Sequence, residues 1–251
     1  GNVKGGFEVR AKGDIIVEGV VEDALLEAGG QIIVKRGIHG MGKGYLQAES
    51  NVICQFIENA IVSSGGFVET NSILHSRVSA SSEIHVSGKK GFITGGMIRA
   101  GALVAAQTIG SPMGTDTRVE VGADPKKKER FQELKETLEK ENEELDKCKV
   151  ILATYTKKLQ SGEQLPPERM SYVQKLAYAY KAKKHTVEEL RNEYADLQQE
   201  LMFANHAKIQ ISKTIYPGVT VAISDLEMRV KDEQNFCQYI KKDGEIVRTT
   251  L

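Results

Sequence analysis

A nine-residue pattern recurs six times between Val9 and Ala106, and it confines the fold more than any other property of the sequence. The copies are Val9-x-Ala11-x-Gly13-x-Ile15-x-Val17, Leu26-x-Ala28-x-Gly30-x-Ile32-x-Val34, Leu46-x-Ala48-x-Ser50-x-Val52-x-Cys54, Val62-x-Ser64-x-Gly66-x-Val68-x-Thr70, Val78-x-Ala80-x-Ser82-x-Ile84-x-Val86 and Ile98-x-Ala100-x-Ala102-x-Val104-x-Ala106. The small second residue stands at 11, 28, 48, 64, 80 and 100, so the steps are 17, 20, 16, 16 and 20 residues. Alternation puts the named residues on one face of a strand and their neighbours on the other. The named set is apolar or small throughout. The intervening set includes Arg10, Lys12, Asp14, Glu27, Gln31, Gln47, Glu49, Asn51, Ser79 and Glu83, and it faces water. Small residues let a narrow wall bend, while branched ones fill its interior. One such coil cannot bury its own inner face, so the stack is the cooperative unit.

Residues 1–124 therefore predict a single-stranded parallel β-helix, a β-solenoid expected to be right-handed. Left-handed hexapeptide solenoids place an aliphatic residue every six positions, whereas alternation by two over nine positions requires longer strands. Both twenty-residue steps carry a glycine-rich excursion, Gly40-Met41-Gly42-Lys43-Gly44 and Gly88-Lys89-Lys90-Gly91, expected to leave the corners as loops.

At Asp124-Pro125 the pattern changes. Phe131, Leu134, Leu138, Leu145, Cys148, Leu152, Tyr155 and Leu159 follow three-four spacing between faces rich in Glu and Lys. Ser161-Gly162-Glu163-Gln164-Leu165-Pro166 reads as a break, and Pro167 suits a first helical turn. A second helical run carries Val173, Ala177, Tyr180, Val187, Leu190, Tyr194, Leu197, Leu201 and Ala204. Residues 125–213 thus predict a long antiparallel coiled-coil hairpin. A helix of about 36 residues is about 54 Å long, and six or seven coils stack to about 30 Å, so the hairpin is expected to overhang the stack. Strand patterns return over 214–251, with Val219 expected beside Val119 and a hairpin turning at Asp243-Gly244. The fold class is mainly β plus α, with the helices inserted before the last strands.

Composition narrows the function more than the fold. Lys and Arg total 34, as do Asp and Glu, so no global field draws nucleic acid or an anionic membrane. No run of eighteen apolar residues occurs, so no membrane insertion is expected. The opening Gly1-Asn2-Val3-Lys4-Gly5 is not signal-like and already has a strand character, so the chain reads as part of a longer protein. Cys54, Cys148 and Cys237 lack metal-ligand spacing and suit a reducing compartment, so a cytoplasmic location is expected.

Few residues invite a chemical role. His39, Asn59 and His75 each lie eleven residues after a template small residue, as a ladder on successive coils would. His39 and His75 would then be about 9.6 Å apart, too far to share a zinc with nitrogens about 2.0–2.1 Å from it. The reading is therefore a hydrogen-bonded corner ladder, with no metal and no cofactor. Neither glycine-rich excursion has the P-loop spacing, and Ser111-Pro112-Met113-Gly114 is not a nucleophile elbow. Glu49, Glu69 and Glu83 are scattered, not paired for glycoside hydrolysis. No catalytic residue is assigned. Lys126-Lys127-Lys128 reads as a solvated helix start or a basic contact patch.

The template also carries an outward column, Ile16, Ile33 and Ile53, ending at Glu69 and His85. An apolar strip on a solvent face should be covered, either by the chain's own helices or by a subunit contact. Tyr172, Tyr178 and Tyr180 are the matching interface candidates on the second helix.

The phrases Glu27-Ala28-Gly29-Gly30, Gly88-Lys89-Lys90-Gly91, Thr108-Ile109-Gly110-Ser111-Pro112-Met113-Gly114-Thr115 and Tyr216-Pro217-Gly218-Val219 stand in this order around the helical insertion. In this the chain resembles the flagellar assembly protein A family over nearly all its length. The resemblance implies a β-solenoid with a coiled-coil segment, in bacterial cytoplasmic proteins linked to flagellum assembly. It also implies an additional N-terminal domain in full-length members, and a kinship of shape with bacterial solenoids that polymerise or regulate division. No catalytic residues are established for that family, so none carry over. The expected function is a non-enzymatic assembly scaffold, homo-oligomeric, with protein partners. The alternatives are a carbohydrate-active or acyl-transferring solenoid enzyme and a signalling module that captures its partner with the helical arm.

Overall fold

The computed structural model of the chain describes residues 1–122, 125–161, 165–204 and 206–251. Asp124, at the expected change of pattern, and the centre of the expected break, 162–164, lie outside the described residues. So do the side chains of Lys126 and Lys128 in the lysine run. Two compact units emerge, Gly1–Pro125 with Glu200–Leu251, and Lys126–Gln199.

The first unit is a parallel β-solenoid with three walls. On the first wall Leu26 pairs with Val9 and Leu46, and the column continues through Val62, Val78, Ile98, Val119 and Val221. On the second, Ile32 pairs with Ile15 and Val52, followed by Val68, Ile84, Val104 and Ile209. Both columns reproduce the template register. The third wall, Val21, Ile38, Ile57, Ile73, Ile93, Ile109 and Ile215, closes the triangle. Each of these inward branched residues beyond the first coil is essentially inaccessible. Burial of one Val or Ile side chain contributes about 1.5–3 kcal/mol, so the stack is held by repetition of one modest gain.

Corners explain the small residues. A Cβ on Gly65 would come 2.1 Å from the carbonyl oxygen of Glu49 in the coil beneath, so no larger residue fits. Nearby, the side chains of Asp14 and Asn51 accept the backbone N–H groups of Gln31 and Phe67 at 2.9 and 3.0 Å. These acceptors satisfy donors that a bend would otherwise leave unpaired. At the corner between the third and first walls, Asp23, Asn59, His75 and Gly95 all have positive φ. Buried hydroxyls complete that corner: Ser76 Oγ accepts Ala60 N–H at 3.2 Å and donates to Leu74 O, and Thr117 Oγ1 accepts Gly95 N–H at 2.9 Å.

The two glycine-rich excursions differ. Gly88–Gly91 is a turn, as expected, whereas the strand path Ile32–Ala48 runs on through Gly40–Gly44. The extra residues there form a bulge between His39 and Gly44. A Cβ on Gly44 would sit 2.5 Å from Gly40 Cα, so the bulge folds flat because both positions are glycine.

Antiparallel strands end the stack. Lys208–Ile215 lies parallel to Leu103–Ile109 and antiparallel to Gln234–Lys242, which turns at Asp243-Gly244 into Glu245–Thr250. Tyr239 is fully buried opposite Ile209. The strand Lys208–Ile215 begins inside the stretch that the helical periodicity assigns to the hairpin, because Ile209 and Ile211 already belong to the second-wall columns of Val104 and Ala106. The helical insertion occupies one corner of one coil. Val121 pairs with Ala100 and Lys208 with Leu103, so residues 122–207 stand where the previous coil has only Gly101-Ala102.

The second unit takes in most of two helices, α1, Pro125–Gln160, and α2, Pro167–Ala204. They run antiparallel: the Phe131 and Tyr194 rings stack at 4.6 Å, Arg130 holds both carboxylate oxygens of Glu193, and Lys183 bridges Glu141 and Glu144. Among the described residues of the two helices, Leu134, Leu138 and Val187 are the buried apolar side chains.

Candidate interaction surface

Outward side chains of the solenoid stand in columns as regular as the inward ones. On the second wall, Ile16, Ile33 and Ile53 are in register and lead into Glu69 and His85. Ile16 is 59% exposed, and Ile33 and Ile53 are half-buried beside it. Behind this strip Cys54 points inward. Burial pushes its thiol up to about 12, against a smaller opposing effect from the Thr70 hydroxyl, so it stays protonated and unreactive.

A second outward strip, on the first wall, went unread in the sequence. Leu25, Tyr45 and Ile61 pair successively, then Arg77, Met97 and Arg118, with Glu8 at the start of the column. Ile61 and Met97 are 40% and 41% exposed. The signal lay in the residue immediately before each template copy, a position the nine-residue pattern leaves out. Beside this strip runs a polar column, in which Arg10 and Glu27 pair at 2.9 Å and Arg99 and Glu120 at 3.1 Å. Arg118 also reaches Glu227, at 2.8 Å.

The histidine ladder is corrected by the register. His39 pairs with Glu22 and Glu58, one position before the Asn59 corner, because the strand path takes in an extra residue between Val34 and Gly37, ahead of it. His39 Nδ1 lies 3.2 Å from a Glu58 carboxylate oxygen. Asn59 and His75 remain at the corner, where the His75 ring packs over Gly95. On the second wall His85 meets Glu83 at 2.6 Å, away from His75. The hollow next to His85, about 250 Å³, is otherwise lined by Val86, Ser87, Ala105, Ala106, Gln107, Gln210, Ser212 and Leu251. Among the described residues no three His, Cys, Asp or Glu side chains gather as metal ligands do.

On α2, Tyr172 and Tyr178 are 51% and 80% exposed and Tyr180 is half-buried. At 3.6 residues per turn the three diverge around the helix and do not form one patch.

The molecule is thus a three-walled parallel β-solenoid with an antiparallel helical pair inserted at one corner, and its distinguishing surface is a set of registered outward columns. The chain belongs to the FapA family: the model described as the Flagellar Assembly Protein A beta solenoid domain matches residues 1–246. No curated protein and no solved structure matches it. This is a flagellar assembly family, not a known enzyme family. No helix among the described residues is long and apolar enough to cross a membrane.

Proposed function

We propose that this chain is a non-enzymatic scaffold of bacterial flagellum assembly that works in the cytoplasm through self-association and contacts with protein partners. The observation that carries the reading is the pair of outward apolar strips, Ile16–Ile33–Ile53 and Leu25–Tyr45–Ile61, held in register by strand pairing. Aligned branched and aromatic side chains on a solvent face gain free energy when another apolar surface covers them. A second reading, a signalling module that captures its partner through the helical arm, draws on the exposure of Tyr178.

The test replaces the chromosomal copy in a flagellated bacterium with an Ile33→Glu, Ile53→Glu variant and counts flagella by electron microscopy, with immunoblotting to show that the protein persists. Flagella should be lost while the variant remains at its normal level. Normal flagellation in a strain deleted for the protein would sink the assembly role altogether.

A further inference from the structure

We propose that the first wall is a self-complementary docking face for a second copy of this chain, packed face to face about a two-fold axis along the strand that carries Ile61 and Ser63. This deepens the scaffold reading and rests on it. Counting coils from Glu8, Ile61 lies on the fourth and Arg118 on the seventh. A two-fold axis along the fourth strand reverses the order of the coils and keeps the strand direction. Each outward column therefore faces its own column run backwards, which is the condition for an isologous contact.

The columns read well in both directions. In the apolar column Glu8 meets Arg118 of the second copy, Leu25 meets Met97, Tyr45 meets Arg77, and Ile61 meets itself. The Tyr45–Arg77 contact places a guanidinium on an aromatic ring. In the polar column Arg10 meets Glu120, Glu27 meets Arg99, and Ser63 lies on the axis. The two own-chain pairs, Arg10 with Glu27 and Arg99 with Glu120, then close into rings of four alternating charges across the interface. Arg118 keeps its bond to Glu227 through Nη1 and its ion pair with Glu120 through Nε, which leaves Nη2 for Glu8.

Neighbouring registers fail. Moving the axis half a coil toward Glu8 sets Arg10 on Arg99. Moving it half a coil the other way sets Glu27 on Glu120. Like charges brought together penalise both half-coil slips, and a full-coil move onto Tyr45 forfeits both charge rings and two coils of overlap, so the alignment on Ile61 pairs the most charge. The isoleucine strip of the second wall has no such property: its column runs on through Ala105 and Gln210, and reversed about its middle it sets Glu69 on itself and the isoleucines on His85, Ala105 and Gln210. Seven coils at about 4.8 Å and strands of about 13 Å give a footprint of about 400 Å² on each copy. That is about 800 Å² over both copies, less than a stable dimer needs and in the range of a weak, transient association.

Sedimentation velocity on the full chain tests this, at concentrations up to about 200 µM. A concentration-dependent dimer is expected, weakening several-fold as salt rises from about 0.05 to 0.5 M. Ile61→Arg puts like charges on the axis at an exposed position and should weaken association at least about tenfold. Lys89→Glu, in the exposed turn between the second and third walls, should leave it unchanged. Arg99→Glu should weaken it, and the fourfold exchange Arg10→Glu, Glu27→Arg, Arg99→Glu, Glu120→Arg should restore it, with circular dichroism confirming the β signal throughout. A dimer that survives Ile61→Arg, or that the fourfold exchange does not restore, overturns this face and leaves the scaffold reading to the flagellation assay. A wild-type chain that stays monomeric throughout overturns self-association itself.

Discussion

Each coil of the solenoid passes its backbone hydrogen bonds to the coils above and below, whereas each helix of the inserted pair keeps its own. The inward columns of the solenoid are sealed along nearly their whole length. Among the described residues the helices instead fully bury Leu134, Leu138 and Val187, leave Leu145, Leu152, Leu190 and Leu197 half-buried, stack one pair of rings and add ion pairs in water. The two units thus reach order by different means. The β unit depends on contacts between neighbouring coils, none of which buries its inner face alone. The helical unit has local bonds that survive when its tertiary contacts weaken.

Removing a central contact from each unit breaks or sharpens this contrast. Ile57→Ala, in the middle of the third-wall column, should cost about 2–5 kcal/mol because its neighbours cannot collapse into the gap. Thermal unfolding followed in the β region of the circular dichroism spectrum should shift down by several degrees. An unchanged transition would mean that the column does not act as one unit. Leu134→Ala, between two helices that can close together, should cost nearer the lower end, about 2 kcal/mol. Its effect should appear in the helical signal at 222 nm with the β transition in place, and an equal loss of both would merge the two units into one.

Acid should separate them more gently. Hydrogen bonding to Lys183 holds the Glu144 carboxyl below its usual range, and the backbone and side-chain amides of Gln31 do the same for Asp14. A lowered carboxyl contributes stability above its unfolded value, and that contribution is lost as pH falls through the lowered one. Asp14 closes one corner of a many-cornered stack, while Glu144 belongs to one of the few ties between the helices. Titration from about pH 7 to 3 should therefore diminish the helical signal first. Loss of β structure at the higher pH would reverse that order.

Much of the β unit was legible because stacking repeats one requirement on every coil. The first two walls follow a strict alternation, so Val9, Leu26 and Leu46, and Ile15, Ile32 and Val52, aligned by eye. The third wall escaped because the corner before it varies: Val21 and Ile38 follow their template small residue by ten positions, Ile57 and Ile73 by nine, and Ile93 by thirteen. The same irregularity misplaced His39, since a bulge leaves no mark on a count of residues. The isoleucine strip of the second wall was readable inside the template. The first-wall strip stood one residue outside it, and its pairing logic appears only when the coils are in spatial order. The tyrosines of α2 are separate candidates, because helical angle and not proximity in sequence decides what faces together.

The corner that carries the helices is a socket. A segment running from Gly122 to Ala207 leaves the stack and returns in the register of a two-residue bend, and the coils on either side pair as though nothing had intervened. Loop-closure entropy rises only with the logarithm of length, so seating a long segment there costs about 3 kcal/mol more than the short bend it replaces. Cargo of other lengths and structures, with ends a few ångströms apart, could occupy that place on the same frame. The frame would then serve as a fixed ruler against which different attachments are displayed.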